Sequence, residues 1–186
     1  MPAIFQAMKS HVPQLLLHNV PLNEPEIQLA QFQTDVVIDI SHFSARALGQ
    51  HVLYADSLVL VCRQNHPALS EPLTIENLRN YDHSSFITEG QALNSLRQRI
   101  DEIFPERQIS FSSYNMFTTA SLIGSSDMLC IMPSRLYHLL RKCWPLEEIP
   151  LSQLNAESIE ISLHYNKLSL RDPVLENVIN IICQAF

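Results

Sequence analysis

Residues 57–63, Ser-Leu-Val-Leu-Val-Cys-Arg, form an unbroken β-favouring run that stops at Gln64-Asn65-His66-Pro67. An apolar run this short, bounded by turn residues, predicts a strand buried on both faces. Pro67 has no N–H to donate and biases His66 away from the α region, so the strand ends there. The residues before this run read as one small α/β unit, and many of those after it read as a second. Residues 57–63 are therefore the strand that carries the chain from one into the other.

Upstream, Ile4, Phe5, Met8 and Val12 fall at helical spacing over residues 3–12, and Pro13 closes the pattern. Residues 14–19 predict a short strand around Leu15, Leu16 and Leu17. Asn23 and Glu26 have capping-box spacing ahead of Ile27, Ala30 and Phe32. Residues 35–40, Asp-Val-Val-Ile-Asp-Ile, predict another buried strand. The order helix, strand, helix, strand implies parallel pairing under covering helices. A chain that opens on a helix already in need of a sheet is expected to lack the first strand of that unit.

Downstream, Thr74 is a candidate cap for a helix reaching Tyr81, and residues 84–88 predict a strand. Leu93, Leu96, Ile100, Ile103 and Phe104 mark an amphipathic helix, with Arg97, Gln98, Arg99, Asp101 and Glu102 on its outer side. Residues 109–113 predict a strand. Ser113 or Asn115 then caps a helix with Met116, Phe117, Ala120 and Ile123 inward, and Gly124 is its expected C-terminal stop. Residues 128–132 predict a buried strand ended by Pro133, with Leu136, Leu139 and Leu140 on a helix behind it. Ile159, Ile161 and Leu163 alternate on a half-buried strand. Asp172-Pro173 opens a final helix carrying Leu175, Val178, Ile179, Ile182 and Phe186.

Composition narrows the function classes. The 186 residues are 46% hydrophobic and carry a formal net charge of −7, with no run of Lys and Arg, so this chain alone lacks the basic footprint of a DNA binder. No apolar stretch reaches the roughly 18 residues of a membrane span, and the first ten residues do not read as a secretory leader. The four Cys, at 62, 130, 143 and 183, have neither C-x-x-C nor zinc spacing and read as reduced thiols. There is no G-x-S-x-G, H-E-x-x-H, Walker loop or G-x-G-x-x-G, and no pair of His at i, i+4. The acids at Glu147-Glu148 and Asp101-Glu102 read as solvated faces. Gly124-Ser125-Ser126-Asp127 follows a helix instead of preceding one, which is the wrong end for phosphate. No catalytic residue, metal site or cofactor is expected.

Three stretches then resemble the LysR-type transcriptional regulators. They are Asp35-Val36-Val37-Ile38, Leu58 to Val61 running into His66-Pro67-Ala68-Leu69, and Leu73-Thr74-Ile75-Glu76-Asn77-Leu78. The segment from Ser113-Tyr114-Asn115 through Leu122-Ile123-Gly124 to Met132-Pro133 is similar to the same family, as are residues 158–186. The family's Gly-x-Gly is replaced here by Gly124-Ser125-Ser126-Asp127. The resemblance implies an effector-binding domain with an α/β, two-lobed, periplasmic-binding-protein-like (type 2) fold. Mostly parallel sheets flanked by helices would form each lobe, and two crossing strands would join them. Lobe one would be residues 1–60 with 160–186, and lobe two residues 61–159. The family's N-terminal winged helix-turn-helix is absent from these residues, so DNA contact would belong to it alone.

In open α/β sheets ligands collect at the carboxyl ends of strands. Those ends offer His18-Asn19, Ser41-His42, Ile87-Thr88-Glu89 and Met132, and Asn115 stands at a helix start. The candidate ligand-binding residues are thus Thr88, Asn19, Ser41, Ile87, Glu89, Asn115 and Met132. Plain structural roles compete with each: Asn19 and Ser41 as turn caps, Thr88 as strand packing, Asn115 as a helix cap. No Arg lies at these ends, which points to an uncharged or zwitterionic effector, or to none. The reduced thiols point to the cytoplasm, and the resemblance further implies a homodimer, or a tetramer at full length, with helix 93–104 of one copy against residues 3–12 of another. A solute-binding protein of a transporter is the alternative of similar fold. An enzyme on a related two-lobed fold is the third reading.

Overall fold

The computed structural model describes the chain apart from residues 1, 12, 13, 15, 19–23, 41, 87–90 and 156–157, and describes backbone only at residues 2, 3, 91–95, 154 and 155. In chain order the elements are α1 (Pro2–His11), α2 (Pro25–Ala30), β1 (Val36–Asp39), β2 (Leu48–Arg63), α3 (Ile75–Leu78), β3 (His83–Phe86), α4 (Gln91–Ile103) and β4 (Ile109–Ser113). They continue with α5 (Met116–Ser125), β5 (Leu129–Pro133), α6 (Ser134–Leu140), β6 (Leu146–Ile149), α7 (Ser152–Asn155), β7 (Ser158–Asn166) and α8 (Pro173–Gln184). Short 3-10 turns fill Pro67–Ser70 and Lys167–Arg171. The chain forms two compact units, Met1–Ala55 with Glu160–Phe186, and Asp56–Ile159. Strands β2 and β7 each begin in one unit and end in the other.

In the first unit β7 stands between β1 and β2, and its pairing with β1 is antiparallel, Val36 opposite Tyr165 and Asp39 opposite Ser162. Helices α1 and α8 pack together on one face, where Ile4, Met8, Leu53, Leu163, Ile179 and Ile182 are buried. Leu29 of α2, Val37 and Leu48 form a second cluster with Phe43 and Ala45. Strand β7 is not simply half-buried, because Ser162, His164 and Asn166 are buried as well as Leu163. Ser162 and Asn166 are bonded as burial demands. Ser162 accepts from Gln50 Nε2 at 2.9 Å, and Asn166 Nδ2 donates to the carbonyls of Leu29 and Ala30 at the end of α2. The His164 ring lies 4.2 Å from that of Phe43.

The second unit is built on the apolar half of β2. Leu58, Val59, Leu60, Val61 and Cys62 are all buried, so this half of the strand is covered on both faces. Val59 and Val61 pack with Cys130, Met132, Ala120, Ile123, Tyr137, Leu140 and Leu146. The parallel pairings are here, β3 with β4 and β3 with β5, where helices return the chain to the same edge. β2 runs antiparallel to β5 and to β6, so the sheets are mixed.

Several local expectations change. The strand expected at residues 14–19 does not form among its described residues; Leu16 is 76% exposed, and Leu17 beside it is exposed too, so they find no sheet to cover them. Gly124 is not a helix stop, because α5 continues to Ser125; a Cβ there would lie 3.3 Å from Pro145 Cδ and 3.6 Å from Trp144 Cβ. Phe117 points outward and meets the half-buried Trp144, ring centroids 5.8 Å apart. Ile27, Phe32 and Leu139 are exposed, their expected core places being taken by Leu29 and Tyr137. The local caps form as expected. Thr74 accepts from Asn77 N, Asn115 from Phe117 N and Thr118 N, and Asp172 from Val174 N at 2.8 Å.

Candidate functional site

The strand ends of each unit hold the candidate positions. In the second unit Phe86 and Ser113 are register partners at the ends of parallel β3 and β4. Past Ser113, Tyr114 is 81% exposed and Asn115 takes up the cap position of α5. Its Oδ1 accepts two N–H groups, at 3.0 and 3.2 Å, so the capping role is filled by the oxygen and the amide nitrogen takes no part in it. Residues 87–90 lie outside the described residues, and the expectations for Ile87, Thr88 and Glu89 with them.

Met132, at the end of β5, is 1% exposed and belongs to the unit's core beside Val59 and Tyr137. Beyond it, α6 has no side-chain cap of its own, since Pro133 is the residue at its N-cap. A carboxylate from another strand supplies that role: Arg135 N donates to Asp56 Oδ2 at 3.2 Å, and Ser57 N to Asp56 Oδ1 at 2.9 Å. Sequence reasoning did not single out Asp56, because its partner is 79 residues away.

In the first unit Asn19 and Ser41 lie outside the described residues, while His18 and His42 beside them are exposed. The loop after β1 holds an arrangement that the sequence hid. Asn23 lies outside the described residues, and the capping-box expectation with it; Glu26 Oε1 accepts from Ser44 N and Ala45 N, each at 2.7 Å, and from Ser44 Oγ at 3.2 Å. Three donors from one loop thus converge on a single carboxylate oxygen. The same loop is tied at its far end by Lys167, whose Nζ donates to the Arg46 carbonyl at 2.8 Å and whose N–H donates to the Ala47 carbonyl. The only sequence signal was Glu26 itself, which local reasoning assigned to the helix.

The end of β2 is structural. His66 Nδ1 accepts from Ala68 N at 3.0 Å and its Nε2 faces the Asp127 carbonyl at 3.0 Å. Arg63 pairs with the Asp127 carboxylate at 2.7 Å. Ser125 and Ser126 hydroxyls donate back to the Ser121 and Leu122 carbonyls, so that turn offers its donors to the helix before it. Burial pushes the Cys62 thiol up to about 12, with the Glu147 charge adding to it, and Cys130 up to about 11. Neither holds a reactive thiolate at neutral pH. Among the described residues no group of His, Cys, Asp and Glu gathers as a metal site, and no helix is long and apolar enough to cross a membrane.

Comparison with known proteins adds four findings. Residues 1–186 match the family described as the LysR substrate binding domain. The HTH-type transcriptional regulator YbeF of Escherichia coli (strain K12) is 50% identical over 186 residues, covering 100% of this chain and 59% of that protein. YbdO, another HTH-type transcriptional regulator of the same strain, is 28% identical over 158 residues, 85% of this chain and 52% of that protein. The chain therefore spans little more than half the length of these relatives. Among solved structures, the regulatory domain of MexT, a transcriptional activator in Pseudomonas aeruginosa, superposes with a TM-score of 0.81 at 12% identity, covering 100% of this chain and 90% of that one. At that identity the likeness shows the fold, the periplasmic-binding-protein-like type 2 fold of such regulatory domains.

Proposed function

Because this chain belongs to the LysR substrate binding domain family, we propose that it is the effector-sensing and dimerisation domain of a LysR-type DNA-binding transcriptional regulator. The observation that carries this reading is the family match over the whole of residues 1–186. The regulators named among its relatives favour it over a transporter's solute-binding protein. In this proposal the effector sits between lobe one (residues 1–60 with 160–186) and lobe two (61–159). Thr88, Asn19, Ser41, Ile87 and Glu89 contact it, Asn115 presents its amide nitrogen, and Met132 backs the site from the core. DNA contact belongs to a helix-turn-helix domain outside these residues. The domain performs no catalysis and works in the cytoplasm as a homodimer, α4 of one copy against α1 of another.

The mechanism is population shift: the effector binds one arrangement of the lobes more tightly, and the dimer passes that preference to the DNA-binding heads. The test is thermal unfolding with and without a panel of amino acids, organic acids, nucleosides and aromatic metabolites. A ligand at about 100 times its dissociation constant adds roughly 2.7 kcal/mol to the folded state. A hit lost in Thr88→Ala supports the sensor. A flat panel on a cooperatively folding protein removes the small-molecule part of the proposal and leaves dimerisation.

A further inference from the structure

We infer that the loop at Ser44-Ala45 is an oxyanion nest for a carboxylate group, and that Glu26 is its built-in occupant, which an external carboxylate displaces. Backbone N–H groups of Ser44 and Ala45, both 2.7 Å from Glu26 Oε1, and the Ser44 hydroxyl are aimed at one point. Successive N–H groups turned to one side make an anion-binding concavity without any Arg. Cationic residues stand beside it: Arg46 is the next residue, and Lys167 Nζ bonds to its carbonyl. The absence of Arg at strand ends therefore does not disfavour a carboxylate ligand, because the main chain supplies the donors.

Glu26 lies in the first turn of α2, and this contact fastens that turn to the loop. Among the described residues, Glu24 at the N-cap makes no side-chain capping bond to this helix and has a left-handed backbone, φ 51°. Displacing Glu26 would release the first turn of α2 from the Ser44-Ala45 backbone, while Leu29 at the other end of the helix keeps its packing with Phe43 and Ala45. The nest stands on its own geometry; only its use as a regulatory contact rests on the effector-sensing proposal above.

The experiment is an acetate titration of the full chain, followed by the amide NMR shifts of Ser44 and Ala45, with sodium chloride at equal ionic strength as control. In Glu26→Ala both amides should shift saturably with acetate and not with chloride. Wild type should respond about ten- to a hundredfold more weakly, because charge-assisted bonds of this kind must first be broken. Glu26→Gln keeps an acceptor oxygen without the charge and should fall between them, and it provides the titration if the alanine variant does not fold. Silent amides in a folded Glu26 variant overturn the nest. Equal affinity in wild type and Glu26→Ala overturns the role of Glu26 as occupant. Either result leaves the metabolite panel free to succeed, so the two proposals fail separately.

Discussion

Gly49 lies directly beneath the ring of Tyr165: a Cβ built on the glycine would come within 2.6 Å of Tyr165 Cε2 and Cζ. The two residues sit on β2 and β7, neighbouring strands of the first unit. Tyr165 also packs against the core cluster of Leu53 and Leu163, so its ring is not free to swing away. Gly49→Ala should cost about 1–3 kcal/mol, the usual range for overpacking a filled site. Urea unfolding measures it, and the same substitution in a Tyr165→Ser background should cost clearly less, because the clashing ring is gone. Additive costs would mean that Gly49 is needed for something other than the ring.

Gly124 should behave in the opposite way. It is inside α5, where Gly is about 1 kcal/mol worse than Ala. Its Cβ would meet Pro145 Cδ at 3.3 Å, a tight contact with an exposed proline that can yield slightly. Gly124→Ala should therefore stabilise the protein, by less than about 1 kcal/mol. A loss of stability in the same urea experiment would show that Pro145 is held too firmly to move.

His83 makes stability pH-dependent. Burial holds its pKa down to about 4, helped by the Arg107 charge and opposed by the bond from Nε2 to the Leu78 carbonyl, 3.1 Å. The unfolded chain takes up this proton near pH 6.5 and the folded chain does not. Stability from this group is thus complete above about pH 6.5, falls as the pH drops, and levels off below about 4. Each pKa unit corresponds to about 1.4 kcal/mol, so the full loss is on the order of 3 kcal/mol. The difference between wild type and His83→Gln, measured from about pH 7 to 4, should carry this slope; parallel curves would disprove it.

The thiols should separate by exposure. Cys143 is exposed, Cys183 is partly so, and Cys62 and Cys130 are buried with raised pKa values. A disulfide reagent added to the native protein should modify Cys143 first and Cys183 more slowly. Cys62 and Cys130 should react only on unfolding, at the global rate. Rapid native labelling of Cys62 would mean that the β2 core opens locally.

Local features were legible wherever cause and effect lie within a few residues. The double-sided burial of residues 58–62, the caps at Thr74, Asn115 and Asp172, and the end of β2 before Pro67 follow from periodicity and from side chains reaching backbone two or three positions away. β6 was missed because Leu-Glu-Glu-Ile is too short and too acidic to show an apolar pattern; pairing with Cys62 and Val61 makes it a strand. Of the candidate ligand residues, Met132 was read as a strand-end position and Asn115 as a helix start, and the structure shows the first in the core and the second as a cap.

What the sequence by itself determined is the class of fold, the family and the strand at its centre, because hydrophobic period, chain punctuation and motif order are all written locally. Only the tertiary structure decided which side chains meet. Glu26 reaches a loop 18 residues on, Asp56 caps a helix 79 residues on, and Gly49 makes room for Tyr165 on another strand. Such contacts depend on the closure of long loops around a packed sheet, and no short window of sequence contains both partners.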